Sequence, residues 1–338
     1  MKKKLILTSL LMSFSLSSCN YSENVATISN NNVEISSKKV NKNIESLIDK
    51  SRMESYIKVF TGKSPVSANN FIPERGTPEG RELTRKFISD TLKNLGYDVQ
   101  LHNYRKNGTN VIAKLMADTP TDEFIVMGAH MDSVKNNGAD DNASGSTAIL
   151  EAATILPKLE GRKVNILFIW FDEEELGLIG SSYLASEYKK QKMKISSVHT
   201  IDMLGWDSDG NKGIEVARPD GILWGYYNMV NKNHNLNYPL TRTSTSASDH
   251  SSFSKNGFPS VCLSEEWTLG DTTPHYHRST DKFETINLDY LSSALKLIVA
   301  VVGDLSLKVT PPSNTIFIPH DKFPARERHF HTEPIDHK

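Results

Sequence analysis

The chain has 338 residues, a formal net charge of −1 and an isoelectric point near 6.8. That balance gives no electrostatic basis for binding nucleic acid or a polyanionic substrate. The length leaves ample material for one folded α/β domain of somewhat over ~250 residues with a large core.

In chain order, Met1-Lys-Lys-Lys4 is a basic start and Leu5 to Leu16 an apolar stretch too short to span a bilayer. Leu16-Ser-Ser-Cys19 closes it and resembles the cleavage box of a bacterial lipoprotein signal, which implies a signal peptide over 1–18 and lipid on Cys19. Residues 19–43 are rich in Asn, Ser and Lys and read as a flexible tether. A catalytic domain is expected over 44–308 and an extended tail over 309–338, with Pro311-Pro312 near the boundary. These features place the protein in the bacterial cell envelope, exported and anchored by lipid on the periplasmic or surface face. With Cys19 lipidated, Cys262 stands alone in an apolar run and reads as a buried structural thiol.

The domain is expected to open with a helix from about Asn43 through Lys58. A second helix follows Thr77-Pro-Glu-Gly-Arg81, with Leu83, Phe87, Ile88, Leu92 and Leu95 at helical spacing and Gly96 as its stop. Strands are predicted at Tyr97–His102, Thr109–Met116, Phe124–Met127, Val164–Phe171 and Val198–Met203, with helices at about Ser144–Leu159 and Ser181–Lys190. Strands alternating with helices predict an α/β fold with a mixed, largely parallel central sheet sandwiched between helices. In such sheets ligands bind beyond the carboxyl ends of the strands. His130, Glu174, Glu175 and Asp202 all fall at or just past such ends.

Five short segments there carry metal-binding side chains. His130 and Asp132 are two apart, so an extended backbone points them to one side, where the carboxylate can orient a metal-bound imidazole. Gly138-Ala-Asp-Asp-Asn-Ala-Ser-Gly145 puts two adjacent carboxylates ahead of a helix; N-capping alone would need one such residue. Glu173-Glu-Glu175 follows the strand Ile166–Phe171, Asp202 ends another strand, and His277 lies in Pro274-His-Tyr-His-Arg-Ser-Thr-Asp281. Imidazole and carboxylate ligands suit zinc, and paired metals activate water for hydrolysis.

Taken in order, these segments resemble the bacterial zinc-dependent aminopeptidases of the leucine aminopeptidase type, relatives of the glutaminyl cyclases. The resemblance runs from about Arg75 to Asp281. It implies two Zn2+ ions, one on His130 and Asp202, the other on Glu175 and His277, with Asp141 shared. It implies Glu174 as general base, Asp132 as the catalytic partner of His130, and Glu173 as a solvated cap. Asp249 and His250 of Ser248-Asp-His250, together with Asp281, would support the ligands or contact substrate, while His275 would rim the site. A cis peptide is expected at Asp141–Asn142. The implied function is hydrolysis of the N-terminal peptide bond of free-amine peptides by metal-activated water.

One departure stands out. Some members carry a tyrosine shortly before the Ser-Asp-His segment to stabilise the oxyanion, and Thr241–Ser248 has none; metals, a loop hydroxyl or His250 are the substitutes. A glutaminyl cyclase remains an alternative, although no tryptophan directly precedes His277. So do a carboxypeptidase using Arg242 or Arg278, and a non-catalytic metal- or peptide-binding lipoprotein.

Overall fold

The computed structural model describes residues 43–308. The signal peptide, Cys19, nearly all of the tether and the tail lie outside the described residues.

The expected first helix is two pieces. Ile44–Leu47 forms a 3-10 turn, Ile48 is extended, and α1 (Lys50–Phe60) starts only after Asp49, whose side chain accepts the N–H groups of Ser51 and Arg52. An aspartate that caps two free amides fixes a new helix start where spacing alone runs the helix on. The second helix, α2 (Pro78–Asn94), begins behind the Thr77 cap with proline in its first turn, and Gly96 ends it at φ 87°.

Eight strands form one sheet: β1 (Val99–Arg105), β2 (Gly108–Leu115), β3 (Glu123–His130), β4 (Asn165–Phe171), β5 (Lys194–Ile201), β6 (Ile214–Ala217), β7 (Leu240–Thr243) and β8 (Ser260–Ser264). Their spatial order is β1-β2-β4-β3-β5-β8-β6-β7. The centre, β4-β3-β5-β8, is parallel; β1, β2 and β6 bring the antiparallel pairings. The mixed, largely parallel sheet is as expected.

Both faces are covered, so β4 is an almost unbroken apolar run rather than alternating, while β5 buries Ser197, His199 and Thr200 among its apolar residues. Ile166, Phe168 and Trp170 of β4 join the larger core with α3 (Gly145–Ile155), α5 (Gly221–Asn233) and α7 (Leu288–Ser306). Leu167, Ile169 and Phe171 face the other way, onto α4 (Ile179–Lys190) and α6 (His250–Lys255). The period of two splits one hydrophobic run between two cores. No helix among the described residues is long and apolar enough to cross a membrane.

Parallel register aligns the functional ends. His130, last residue of β3, pairs with Phe171, last of β4, and Gly128 pairs with Thr200 of β5. The residues just past β4 and β5 therefore stand beside His130, at the carboxyl edge of the sheet.

Candidate metal centre

Two groups of side chains meet at that edge. His130 Nε2 lies 3.2 Å from Asp141 Oδ1 and 3.3 Å from Asp202 Oδ1. His277 Nε2 lies 3.1 Å from Asp141 Oδ2 and 3.0 Å from Glu175 Oε2. Within each group the ligand atoms lie within 4.8 Å of one another, and Asp141 belongs to both. Zn–N and Zn–O bonds of about 2.0–2.2 Å in a tetrahedral site put donor atoms about 3.3 Å apart, so these spacings fit a shared cation. Asp202 and His277 keep 15% and 30% of their side chains exposed, so the centre opens on their side.

The electrostatics also fit cations. Burial, with Asp141 adding repulsion, pushes Glu175 up to about 7. Glu174 is raised well above the usual carboxylate range by burial, with Asp202, Glu175 and Asp249 adding to it against His130. Burial disfavours a charged His130, but Glu174, Asp202, Asp132 and Asp141 outweigh it and hold its affinity for protons high. Glu175 Oε1 is buried without a hydrogen-bond partner. Crowded carboxylates with an unsatisfied oxygen are costly, and divalent cations relieve that cost.

His130, Glu175 and Asp141 are braced from behind. Asp132 lies under the centre: its Oδ1 accepts the N–H of Glu174 at 3.1 Å, its Oδ2 that of Glu175 at 3.2 Å, and Oδ1 stands 3.5 Å from His130 Nδ1. Asp281 accepts the N–H groups of Asp140 and Asp141 at 2.8 and 3.1 Å. The Asp141–Asn142 peptide is cis, as expected. Asn142 donates to the carbonyl of Ile201 and accepts from Gly145, tying the loop to β5 and α3.

Glu173 is not the solvated cap that the sequence suggested. It is 1% exposed, sits at φ 61°, and pairs with Arg81 at 3.1 Å and Arg105 at 2.6 Å while Tyr104 donates to it. Burial works against its charge, but Arg105, Tyr104 and Arg81 hold it below its ordinary value. Asp172 beside it pairs with Arg81 and Arg85, both at 2.9 Å. Arg81 and Arg85 come from α2 and Arg105 from the end of β1, so the pairing is invisible to local spacing. The left-handed turn at Glu173 lets consecutive residues diverge: Glu173 toward α2, Glu175 toward His277.

Asp249 and His250, at the start of α6, are buried. Burial pushes Asp249 up to about 7, with His130 acting against the shift and Asp202 and Asp132 with it. His250 Nε2 donates to the Thr245 carbonyl at 3.0 Å, and burial lowers its pKa to about 4. Neither joins the donor groups, and His250 lines a small cavity beside Asp202. His275 is held by Thr280 at 2.9 Å and packs edge-on against Trp206, apart from the donor groups. Arg242 donates to the Pro219 carbonyl at 2.7 Å. Cys262 is buried and unbridged.

In the sequence Tyr276 reads only as part of the Tyr-His motif, and the phenol is sought before Ser248. Its ring stacks on His277, centroids 3.8 Å apart and 21° from parallel, with Trp267 edge-on at 5.0 Å. Burial, followed by the fields of Asp141, Glu175, Glu174 and Asp202, keeps its hydroxyl protonated. The signal was its place next to His277. The small cavity beside Asp202 is about 20 Å³, its lining mixing apolar Met203, Ala217 and Cys262 with polar Ser248, His250 and Glu265.

A third acidic group, Asp207, Asp209 and Asp271, is separate and partly exposed. Its carboxylates accept backbone N–H groups of their own loop, from Ser208, Asp209, Asn211 and Lys212.

Residues 110–302 match the model of peptidase family M28. The chain belongs to that family. Leucine aminopeptidase 1 of Trichophyton rubrum is 31% identical over 228 residues, covering 61% of this chain and 59% of that protein. The chain thus spans about three-fifths of the length of the curated relatives it matches. Among solved structures, BSAP, a zinc aminopeptidase from Bacillus subtilis, has a TM-score of 0.68 at 17% identity, covering 80% of this chain and 98% of that one. The glutaminyl cyclase of Porphyromonas gingivalis has a TM-score of 0.60 at 18% identity, covering 77% and 99%. At those identities the likeness concerns the fold.

Proposed function

We propose that this protein is a lipid-anchored zinc aminopeptidase that removes the first residue from peptides with a free N-terminus. The observation that carries the reading is the double donor set divided by Asp141, with Glu174 beside it. Family membership and the names of the curated relatives support it. Export and anchoring rest on the sequence of residues 1–19, with Cys19 as the lipidated residue.

His130, Asp202 and Asp141 would hold one zinc ion, and His277, Glu175 and Asp141 the other. Zinc, when bound, supplies Lewis acidity that polarises the scissile carbonyl and makes water more acidic. Glu174 acts as general base and then general acid: it takes the proton from the attacking water and passes it to the leaving amine. Its burial raises its proton affinity toward the working range, and the Asp132 carboxylate fixes its backbone. The Tyr276 hydroxyl donates to the oxygen that gains charge, replacing the phenol missing from Thr241–Ser248. The negative field of Asp202, Glu174 and Asp249 holds the substrate's α-ammonium group, which restricts cleavage to the first bond. The first side chain would sit on the Asp202 side of the centre, where the site is open.

The test is an assay of the purified protein on a free-amine peptide, its N-acetylated twin and an N-terminal glutaminyl peptide, with and without chelator. Chelator-sensitive release of the first residue from the free-amine peptide alone is expected. Cyclisation of the glutaminyl peptide would instead assign a cyclase, and release of the last residue of the acetylated peptide a carboxypeptidase.

A further inference from the structure

We infer that Arg75 is a positioning residue for the cation site: its guanidinium ties together both ends of the loop from Met131 to Gly138 and so sets the spacing between the His130–Asp132 segment and Asp141. The inference rests on the metal-centre reading above.

Arg75 lies just before α2 and is 0% exposed. Its Nε donates to the Met131 carbonyl at 2.9 Å, at the start of the loop. Nη1 donates to Asn137 at 2.5 Å and to Phe60 at 3.1 Å, and Nη2 to Gly138 at 2.7 Å, at the end of the loop. Its own N–H donates to Ser133 Oγ at 3.1 Å. Only a planar fork of several donors can grip carbonyls at separated points; an ammonium is a single point. Gly138 makes the approach possible: at φ 52°, a Cβ there would stand 2.7 Å from Nη2 and 2.6 Å from Ser133 Cβ.

No carboxylate lies within ion-pair distance of Arg75 among the described residues. A buried cation held only by carbonyls is expensive unless its charge is offset at longer range. The acids that act on it are Asp281, Asp132, Asp141 and Glu175: two ligand-type residues and the two that brace them. The guanidinium therefore sits behind the donor groups, linked to them through the loop and through its field. Its effect on cations has two parts of opposite sign. Its charge opposes their binding, whereas its clamp preorganises Asp141 and Asp132. The clamp dominates because an outer support of a metal ligand commonly changes affinity 10–100-fold.

The experiment compares the full chain with Arg75→Lys and with Arg162→Lys as control. Arg162 is also buried and clamps the carbonyls of Leu156, Pro157 and Leu159, remote from the centre, while pairing in addition with Asp118 at 2.8 Å. Zinc affinity is read by competition with a chromogenic chelator, and Tm is measured with and without zinc. Arg75→Lys is expected to weaken at least one zinc site about tenfold or more and to narrow the Tm gap between zinc-loaded and metal-free protein. Arg162→Lys should lower both Tm values together and leave zinc affinity unchanged. Wild-type zinc affinity and an unchanged Tm gap in Arg75→Lys would overturn the inference. If Arg75→Lys does not fold, Ser133→Ala, which removes the acceptor for the Arg75 N–H together with the hydroxyl's own bonds to the Val134 and Asn136 carbonyls of the same loop, should weaken zinc binding measurably; unchanged affinity there overturns it too. Failure of the unsubstituted protein to bind zinc is a separate result, and it removes the metal-centre reading itself.

Discussion

Asp141 presents one carboxylate oxygen to His130, with Oδ1 3.2 Å from Nε2, and turns the other toward the opposite side of the centre. That division makes it the ligand-type side chain common to both donor groups. Asp141→Asn is expected to reduce zinc from two ions to fewer than one per chain after desalting, measured by atomic absorption. Retention of two ions would reject the shared role.

Glu174 should separate chemistry from binding. Glu174→Gln keeps the side chain's size and leaves the donor groups intact, so zinc content should match that of the unsubstituted protein. Turnover should fall by about 10²–10⁴, the range of general acid–base catalysis. Comparable kcat in the two proteins would remove Glu174 from the mechanism.

Tyr276→Phe keeps the ring stacked on His277 and deletes only the hydroxyl. A drop of about 10²–10³ in kcat with little change in KM is expected of a lost oxyanion donor. A raised KM at constant kcat would show that the hydroxyl binds substrate in its ground state.

Away from the centre, His234 links the chain's first turn to its last helix. It bonds Glu45 at 2.8 Å and stands 3.4 Å from Asp304. Asp304 and Glu45 push it up to about 9, against partial burial. Because the folded pKa exceeds the unfolded value of about 6.5, its contribution is complete below pH 6.5 and is lost as pH rises through 9. His234→Gln should therefore cost on the order of 1–2 kcal/mol at pH 6 and close to nothing at pH 10. Urea melts of both proteins at the two pH values measure this. A gap that widens with pH would contradict the assignment.

The sequence read differently at different depths. The strands beside the centre were legible because β3 and β4 carry long apolar runs that end at His130 and Phe171, and acids cluster just past the ends of β3, β4 and β5. What stayed hidden depends on contacts distant in sequence. Glu173 looks solvated beside its neighbours but meets Arg81 and Arg105, both distant in sequence. Tyr276 gains its position from the stacking of two adjacent rings, which spacing does not encode. Strands β6 and β7, four residues each, offer too little periodicity to detect.

The ion pairs between α2 and the end of β4 bear on where this protein can be cut. The family match begins at residue 110, beyond both Arg81 and Arg85. A fragment trimmed to the matched region would keep Asp172 and Glu173 in the interior while discarding the guanidinium groups that neutralise them there, and it would lose Arg75 as well. Buried charges stripped of partners typically cost about 3–5 kcal/mol. The recognisable peptidase segment is thus not a self-sufficient folding unit: residues 43–109 are its counter-charge, and expression of the shorter piece should yield insoluble protein.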